Sequence, residues 1–154
     1  MSGDRTPRDA GDDGLVPIAG RFEDGVHRLR VRVYYEDTDF SGIVYHANYL
    51  KYLERGRTDQ LRLAGVAQSE LHADGEGIAF AVRRMTLDWL KPARMDDILT
   101  VETRTDVVKG ASIALAQRIL RADEVLLTAD VTVAAVRAGR PARIPEILRA
   151  RLGG

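Results

Sequence analysis

The sequence of 154 residues contains no cysteine. Disulfide bonds, iron–sulfur clusters, thiolate zinc sites and a cysteine nucleophile are therefore excluded for this chain. Long apolar runs are also absent, because no window approaches the roughly 18 consecutive apolar residues of a membrane-spanning helix. The remaining candidates for chemistry are carboxylate, imidazole, hydroxyl and amine side chains together with backbone N–H groups.

The sequence has no excess of charge of either sign. Lysine and arginine together number 23, as do aspartate and glutamate, so the formal net charge is zero. A neutral chain without a basic stripe gives no electrostatic reason to expect a nucleic-acid partner. The first residues lack the apolar segment of a secretory signal. We therefore expect a soluble protein of the cytoplasm.

Composition and length are typical of one globular domain preceded by a tail. Apolar residues form 45% of the chain and charged residues 30%, and a chain of this size can bury a core. Residues 1–25 are rich in Gly, Asp, Arg and Pro and show no periodicity. This composition predicts a disordered N-terminal tail, with the folded domain over residues 26–154.

A strand followed by a long helix opens the predicted domain. Apolar residues alternate over residues 27–35, which predicts a half-buried strand. From about residue 45 to residue 64 they recur every three or four positions, which predicts a helix. Gly56 in the middle of this helix carries an intrinsic cost of up to ~1 kcal/mol against alanine. We interpret it as the sign of a close approach between helix and sheet.

The helix has two distinct predicted faces. Leu53, Arg57 and Leu61 fall on the apolar face that is expected to turn inward. Arg55 and Asp59 fall on the opposite face, four residues apart, where they are predicted to form an exposed ion pair.

Long antiparallel strands make up the rest of the predicted domain, after a short helical piece over residues 68–73. Alternating patterns predict four strands, at residues 78–90, 98–108, 111–121 and 125–136. Short connectors between them predict hairpins, and a short helix over residues 146–152 follows. This order predicts an α+β fold. Because one helix cannot cover both faces of such a sheet, a second subunit is expected at the other face or at an edge.

The most informative segment lies between the first strand and the long helix. Asp37 and Asp39 are followed there by Gly42 and His46. A strand-to-helix turn directs backbone N–H groups and the positive end of the helix dipole at one point. A carboxylate facing that point can attack a carbonyl or activate water while the N–H groups hold the oxyanion. Asp39 is therefore the candidate catalytic residue, and Asp37 is interpreted as a turn residue.

This segment resembles the YbgC-type acyl-CoA thioesterases, which are relatives of 4-hydroxybenzoyl-CoA thioesterase. The motifs that carry the resemblance are VRVYYEDTD (31–39), GIVYHANYL (42–50), ERGRT (54–58), FAVRRMT (80–86), PARMDD (92–97) and QRI (117–119). The resemblance covers about residues 28–150 and implies the hot-dog fold, a curled antiparallel sheet of about five strands wrapped around one long central helix. Phe40, Ser41 and Gly56 depart from the family, in which Ala, Gly and Ala are usual.

The resemblance implies an enzyme that hydrolyses acyl-CoA to a free acid and coenzyme A, without a metal or an organic cofactor. Asp39 would act as nucleophile or general base, and backbone N–H groups near His46 would hold the oxyanion. His46 is itself a candidate polar contact or proton relay. Tyr35 is a candidate to reach the site through its hydroxyl from the inward-facing end of a strand. Lys109, at a predicted hairpin tip, is a candidate ligand for the phosphates of coenzyme A.

Alternatives stay open for the residues and for the function. Asp39 could cap the helix, His46 could be structural, Tyr35 could be a core residue and Lys109 a solvated turn residue. The protein could instead be a hot-dog hydratase or dehydratase, for which a histidine–acid dyad at the helix is expected. It could also be a non-catalytic subunit that binds acyl carrier proteins or the Tol-Pal envelope complex. For the thioesterase we expect a homotetramer of two dimers, with the site at an interface.

Overall fold

A computed structural model of the chain describes residues 18–65 and 77–152. Its elements, in chain order, are β1 (Arg21–Glu23), β2 (Val26–Arg32), a 3₁₀ turn (Tyr35–Asp37), α1 (Asn48–Leu63), β3 (Ala79–Trp89), β4 (Ile98–Val108), β5 (Ser112–Arg121), β6 (Glu124–Arg137), β7 (Arg140–Pro141) and α2 (Glu146–Leu152). The predicted tail up to residue 17 and the predicted helical piece over residues 68–73 lie outside the described residues.

The seven strands of the described residues form a single antiparallel sheet. Their order is β1-β2-β4-β5-β6-β3, and β7 pairs with the end of β6. One face of this sheet packs against α1, chiefly through β2 and β4. The predicted α+β, hot-dog arrangement is therefore confirmed, with the short strands β1 and β7 added to the five that were expected. Within the described ranges, no helix combines the length and the apolarity needed to cross a membrane.

The core lies between α1 and the inward faces of the strands. The register places Leu29, Val101, Ile119 and Leu127 in one row across four neighbouring strands, and all four side chains are buried. Such rows form because side chains alternate between the two faces of a strand, so that paired positions share a face. Leu53 of α1 is fully buried and belongs to the same core.

Gly56 marks the point where α1 approaches the sheet most closely. A Cβ atom at this position would lie 2.8 Å from Cγ1 of Val101 and 3.0 Å from Oγ1 of Thr103. The predicted reason for this glycine is therefore confirmed: only a residue without a side chain fits between the helix and β4.

The last part of the predicted tail is folded, so the prediction was wrong for residues 21–25. Arg21–Glu23 forms β1 and pairs with β2 through a turn at Asp24 and Gly25. Both turn residues have positive φ, at 52° and 78°. An Asp-Gly pair is a strong hairpin signal because these two residue types tolerate that conformation. The signal was present in the sequence, but the aperiodic composition around it concealed the short strand.

The first predicted strand is too long, and the helix begins later than predicted. β2 ends at Arg32, and Tyr35 lies in the 3₁₀ turn with 81% of its surface exposed. The chain turns there because the carboxylate of Asp37 accepts the Tyr34 N–H at 2.9 Å. Tyr35 therefore does not end an inward-facing strand. The long helix starts at Asn48 rather than near residue 45.

Asp59 is buried in the core, which contradicts its predicted place in an exposed ion pair with Arg55. Its Oδ2 lies 2.7 Å from Nε2 of His27 and accepts the backbone N–H of Gly20, also at 2.7 Å. Nη1 of Arg62 lies 4.0 Å from Oδ1 of Asp59. The helical pattern failed here because the partner that buries Asp59 comes from β2, 32 residues earlier in the chain.

Candidate active site

Asp39 lies in a tight turn just before α1. Its backbone N–H donates to the carbonyl of Ile43 at 2.9 Å, and its carbonyl accepts the N–H of Gly42 at 3.0 Å. Its Oδ1 accepts the N–H of Ser41 at 2.8 Å. The other carboxylate oxygen has no hydrogen-bond partner among the described residues, and the side chain is exposed. The carboxylate is thus held at one oxygen and available at the other.

The start of α1 presents donors without partners. No side chain caps the helix, and its N-cap position is occupied by Ala47. The backbone N–H groups of His46 and Ala47 donate to no other group in the part of the chain that the structure describes. Unpaired N–H groups at a helix start carry partial positive charge and can donate hydrogen bonds to an anion. Asp39 does not cap this helix, because its hydrogen bonds stay within its own turn.

The turn and the helix start are fastened to each other. The carbonyl of Asp37 accepts the Tyr45 N–H at 2.9 Å and the Asn48 side-chain amide at 2.8 Å. A bridge between Thr38 and Val44 closes the loop. The predicted role of Asp37 as a turn residue is therefore confirmed. These contacts fix the position of Asp39 relative to the N–H groups.

Tyr49, in the first turn of α1, supports the site from below. Its hydroxyl accepts the Ala93 N–H at 3.0 Å, and the carbonyl of Ala93 accepts the Val44 N–H at 2.8 Å. Burial raises the pKa of Tyr49, and the negative charges of Asp97 and Asp39 act in the same direction.

The ring of His46 packs in an exposed aromatic group. It lies 4.5 Å from the ring of Tyr45 and 6.1 Å, edge to face, from the ring of Trp89. The indole N–H of Trp89 donates to the His46 carbonyl at 3.3 Å. His46 makes no hydrogen bond or ion pair with a carboxylate among the described residues. The histidine–carboxylate pair described above, His27 with Asp59 of α1, is buried in the core.

The structure brings together two of the four predicted site residues. Asp39 and His46 share the loop and helix start, and Tyr35 lies in the preceding turn, without a hydrogen bond to either among the described residues. Lys109 is at the tip of the β4–β5 hairpin, as predicted, but at the far end of the sheet. β4 begins beside the Asp39 loop, because its first residue, Ile98, pairs with Arg32. Ten residue steps of ~3.3 Å separate Ile98 from Val108, the last residue of β4. Lys109 of the same chain therefore lies about 30 Å away.

Large apolar side chains are exposed on the segments that form the site and on those that contact them. The exposed members of this group are Tyr34, Tyr35, Phe40, Tyr45, Trp89, Leu90 and Met95. An exposed apolar patch of this kind usually marks a surface that contacts another molecule. Sequence reasoning missed Trp89 and Tyr49 as parts of the site, since their contacts join segments about 40 residues apart.

A cavity opens between α1 and the sheet, away from this loop. It encloses about 590 Å³, including the solvent at its mouth. Its lining is mostly apolar and includes Leu61, Phe80, Val82 and Leu115, together with the charged residues Glu54 and Arg57.

Comparison with known proteins gives one consistent result. Residues 41–128 match the model of the thioesterase superfamily. The acyl-CoA thioester hydrolase YbgC of Escherichia coli O6:H1 is 46% identical over 110 residues, which are 71% of this chain and 81% of that protein. The acyl-CoA thioesterase YbgC of Haemophilus influenzae is 43% identical over 122 residues, 78% of this chain and 89% of that protein.

A solved structure agrees with these relatives. The crystal structure of a probable thioesterase from Bartonella henselae is 41% identical and superposes with a TM-score of 0.76. The match covers 78% of this chain and 99% of that protein.

Proposed function

The chain belongs to the thioesterase superfamily as a YbgC-type member, and from this membership we propose that it hydrolyses acyl-CoA thioesters with Asp39 as the catalytic carboxylate. One observation supports the assignment of the site. An exposed carboxylate with a free oxygen lies beside a helix start whose first N–H groups have no partners. This is the pairing that acyl transfer requires, a base or nucleophile next to an oxyanion site.

In the proposed reaction, the thioester carbonyl oxygen faces the N–H groups of His46 and Ala47. Attack on the carbonyl carbon places negative charge on that oxygen, where the N–H groups and the helix dipole stabilise it. Collapse of the intermediate breaks the carbon–sulfur bond and releases coenzyme A as a thiolate. A thiolate leaves readily, so the lack of a carboxylate partner for His46 does not obstruct the reaction.

Two routes to the intermediate share this geometry. Asp39 can attack directly, which gives a mixed anhydride that water then hydrolyses, or it can take a proton from a water molecule that attacks. A single turnover in ¹⁸O-labelled water tests for the nucleophilic route. Attack of water on the Asp39 carbonyl of the anhydride releases unlabelled acid and leaves the label in the Asp39 carboxylate, whereas the general-base route places the label in the acid and none in Asp39.

A thiol-release assay with purified protein tests the proposed function. We expect turnover of acyl-CoA esters, since the carboxylate and the oxyanion donors belong to the folded chain and need no added metal. Acyl carrier protein thioesters should be measured in parallel, because the reacting thioester group is the same in both substrate classes. Release of no thiol from either substrate class would refute the thioesterase proposal. It would favour the non-catalytic alternative, a subunit that binds carrier or Tol-Pal proteins.

We propose that two copies of the chain pair through β3. This strand pairs with β6 along one side only, and its other side lies at the edge of the sheet over eleven residues. Val82 and Trp89 of this strand are exposed. A long, exposed, apolar edge is rarely left uncovered in a soluble protein. Antiparallel pairing of two such edges joins both sheets and keeps both helices on the same face.

This pairing would assemble each site from two chains. A twofold axis near Arg84, the midpoint of β3, places the Trp89 end of one copy beside the Ala79 end of the other. Trp89 touches the helix start of its own chain. The Asp39 loop of one copy then faces the cavity and the Lys109 tip of the other copy. Lys109 begins the turn into β5, which lies two strand spacings of ~4.8 Å from β3. A dimer of such dimers gives the proposed tetramer.

Substitution of Lys109 by alanine is expected to raise KM for acyl-CoA by about 5–30-fold and to leave kcat unchanged. A phosphate contact remote from the carbonyl acts equally on ground and transition states, and a charge-assisted hydrogen bond is worth roughly 1–2 kcal/mol. Steady-state kinetics with acyl-CoA, and with a short thioester that lacks the nucleotide as control, measure the effect. A response that is equal for both substrates would make Lys109 a turn residue only.

Mixing an Asp39 variant with a Lys109 variant tests whether Lys109 acts across the interface. Asp39→Asn chains and Lys109→Ala chains are unfolded together and refolded. If Lys109 serves the partner's Asp39, each mixed dimer contains one intact site, and turnover with the wild-type KM reappears. If both residues serve the same chain, only the high KM remains.

Light scattering should give a mass of two or four chains, and a monomer at micromolar concentration would refute the proposed pairing through β3.

A further inference from the structure

Arg57 has an unusual place in the cavity between α1 and the sheet. It lies on the third turn of the helix, among apolar side chains such as Leu61, Phe80 and Leu115. Its guanidinium donates to Oε1 of Gln117 at 3.1 Å. It forms no ion pair with any carboxylate in the described ranges. An arginine carries five N–H donors, and among the described residues only this one hydrogen bond is made by the Arg57 guanidinium, which lines the cavity.

The position of this guanidinium is fixed by the core. Gln117 is fully buried, and its amide donates to the carbonyl of Leu53 at 3.0 Å and to Oγ1 of Thr103 at 2.9 Å. These bonds aim the amide oxygen of Gln117 at Arg57. Burial lowers the pKa of Arg57, while Glu54 opposes that shift. A charge in such a setting is costly unless an anion or several acceptors compensate it.

Glu54 does not supply that compensation by direct contact. It lies at the exposed mouth of the cavity, where its carboxylate accepts the hydroxyl of Thr58 at 2.7 Å. Among the described residues that line the cavity, Glu54 and Arg57 are the only charged ones. The cavity therefore has a solvated negative charge at its mouth and a half-buried positive charge farther in.

We propose that this cavity receives the far end of the acyl group and that Arg57 selects acyl chains ending in a carboxylate. The proposal rests on the thioesterase function and on the pairing through β3, which turns the cavity of one copy toward the Asp39 loop of the other. Apolar walls suit the methylene part of the chain. The planar guanidinium suits a carboxylate, which it can bind through two parallel N–H donors. The substrate class would be the CoA half-thioesters of dicarboxylic acids.

Paired substrates test this proposal. We would measure kcat/KM for succinyl-, glutaryl-, adipyl- and suberyl-CoA, each against the unbranched acyl-CoA with the same number of carbons. We expect the wild type to prefer the acidic member of at least one pair by about 10–100-fold, the range for a hydrogen bond to a charged group. Arg57→Gln should remove this preference and leave kcat/KM for the uncharged member within about threefold.

Two further variants keep the test decisive. Arg57→Lys retains the charge and should keep part of the preference. Glu54→Gln removes the negative charge at the mouth and should increase the preference, opposite in sign to Arg57→Gln. The wild-type preference and the Glu54→Gln result do not depend on whether Arg57→Gln folds. A wild type that hydrolyses both members of every pair equally overturns this inference alone, whereas a wild type that hydrolyses no thioester overturns the proposed function as well.

Discussion

Replacement of Asp39 by asparagine is expected to lower kcat by about 10²–10⁴-fold, the usual contribution of a positioned acid or base. Asparagine has the same shape and can still accept the Ser41 N–H through its side-chain oxygen. It cannot take a proton or attack a carbonyl. The melting temperature should therefore stay unchanged while turnover falls, and stopped-flow thiol release measures the loss.

Asp37→Asn is the matched control, two residues earlier in the same loop. Its carboxylate accepts the Tyr34 N–H inside the 3₁₀ turn, and an amide oxygen can do the same. We expect less than about a tenfold change in kcat for this variant. If Asp39→Asn keeps more than a tenth of wild-type kcat, or if Asp37→Asn is the more damaging change, Asp39 is not the catalytic carboxylate.

Asp59→Ala is expected to lower the free energy of unfolding by about 3–5 kcal/mol, the cost of removing one partner from a buried polar pair. The substitution leaves His27 and the Gly20 N–H without their acceptor. His27 is fully buried, and its Nδ1 already has no hydrogen-bond partner among the described residues. Urea unfolding followed by circular dichroism gives the difference.

Arg55→Ala distinguishes the observed contact from the one that the helical pattern predicts. Arg55 is exposed and lies over the ring of Tyr52 at 6.0 Å, not beside Asp59. Its removal should cost under about 1 kcal/mol, as for other exposed charged groups. Equal losses for the two variants would show that Asp59 belongs to a surface ion pair after all.

The strands were predictable because their signal is local. Alternation over residues 98–108 defines β4 without knowledge of any partner, and the structure reproduces those bounds. The same local logic identified Asp39, since a carboxylate in a strand-to-helix turn is visible in the sequence alone. The roles assigned to Asp39, His46, Tyr35 and Lys109 remain predictions.

Contacts between distant segments were not predictable in this way. The pairing of Asp59 with His27 depends on how α1 crosses β2, and helical periodicity contains no information about that crossing. Arg57 is a partial exception, because its place within the apolar stripe of the helix already set it apart. The cavity itself could not be predicted from the sequence, because it forms where side chains from α1, β3 and β5 leave space between them.

The hydrogen bond from Trp89 to the His46 carbonyl places a fluorescent side chain at the start of α1. Trp89 is the only tryptophan of the chain, so all tryptophan fluorescence comes from one indole ring. Trp89 is 48% exposed at the end of the β3 edge, and its ring lies beside the imidazole of His46. Its emission wavelength and intensity are therefore expected to respond to a ligand at the helix start and to the neighbouring chain of the proposed β3 pairing. Under these two proposals, tryptophan fluorescence would follow substrate binding and subunit exchange on the unlabelled protein.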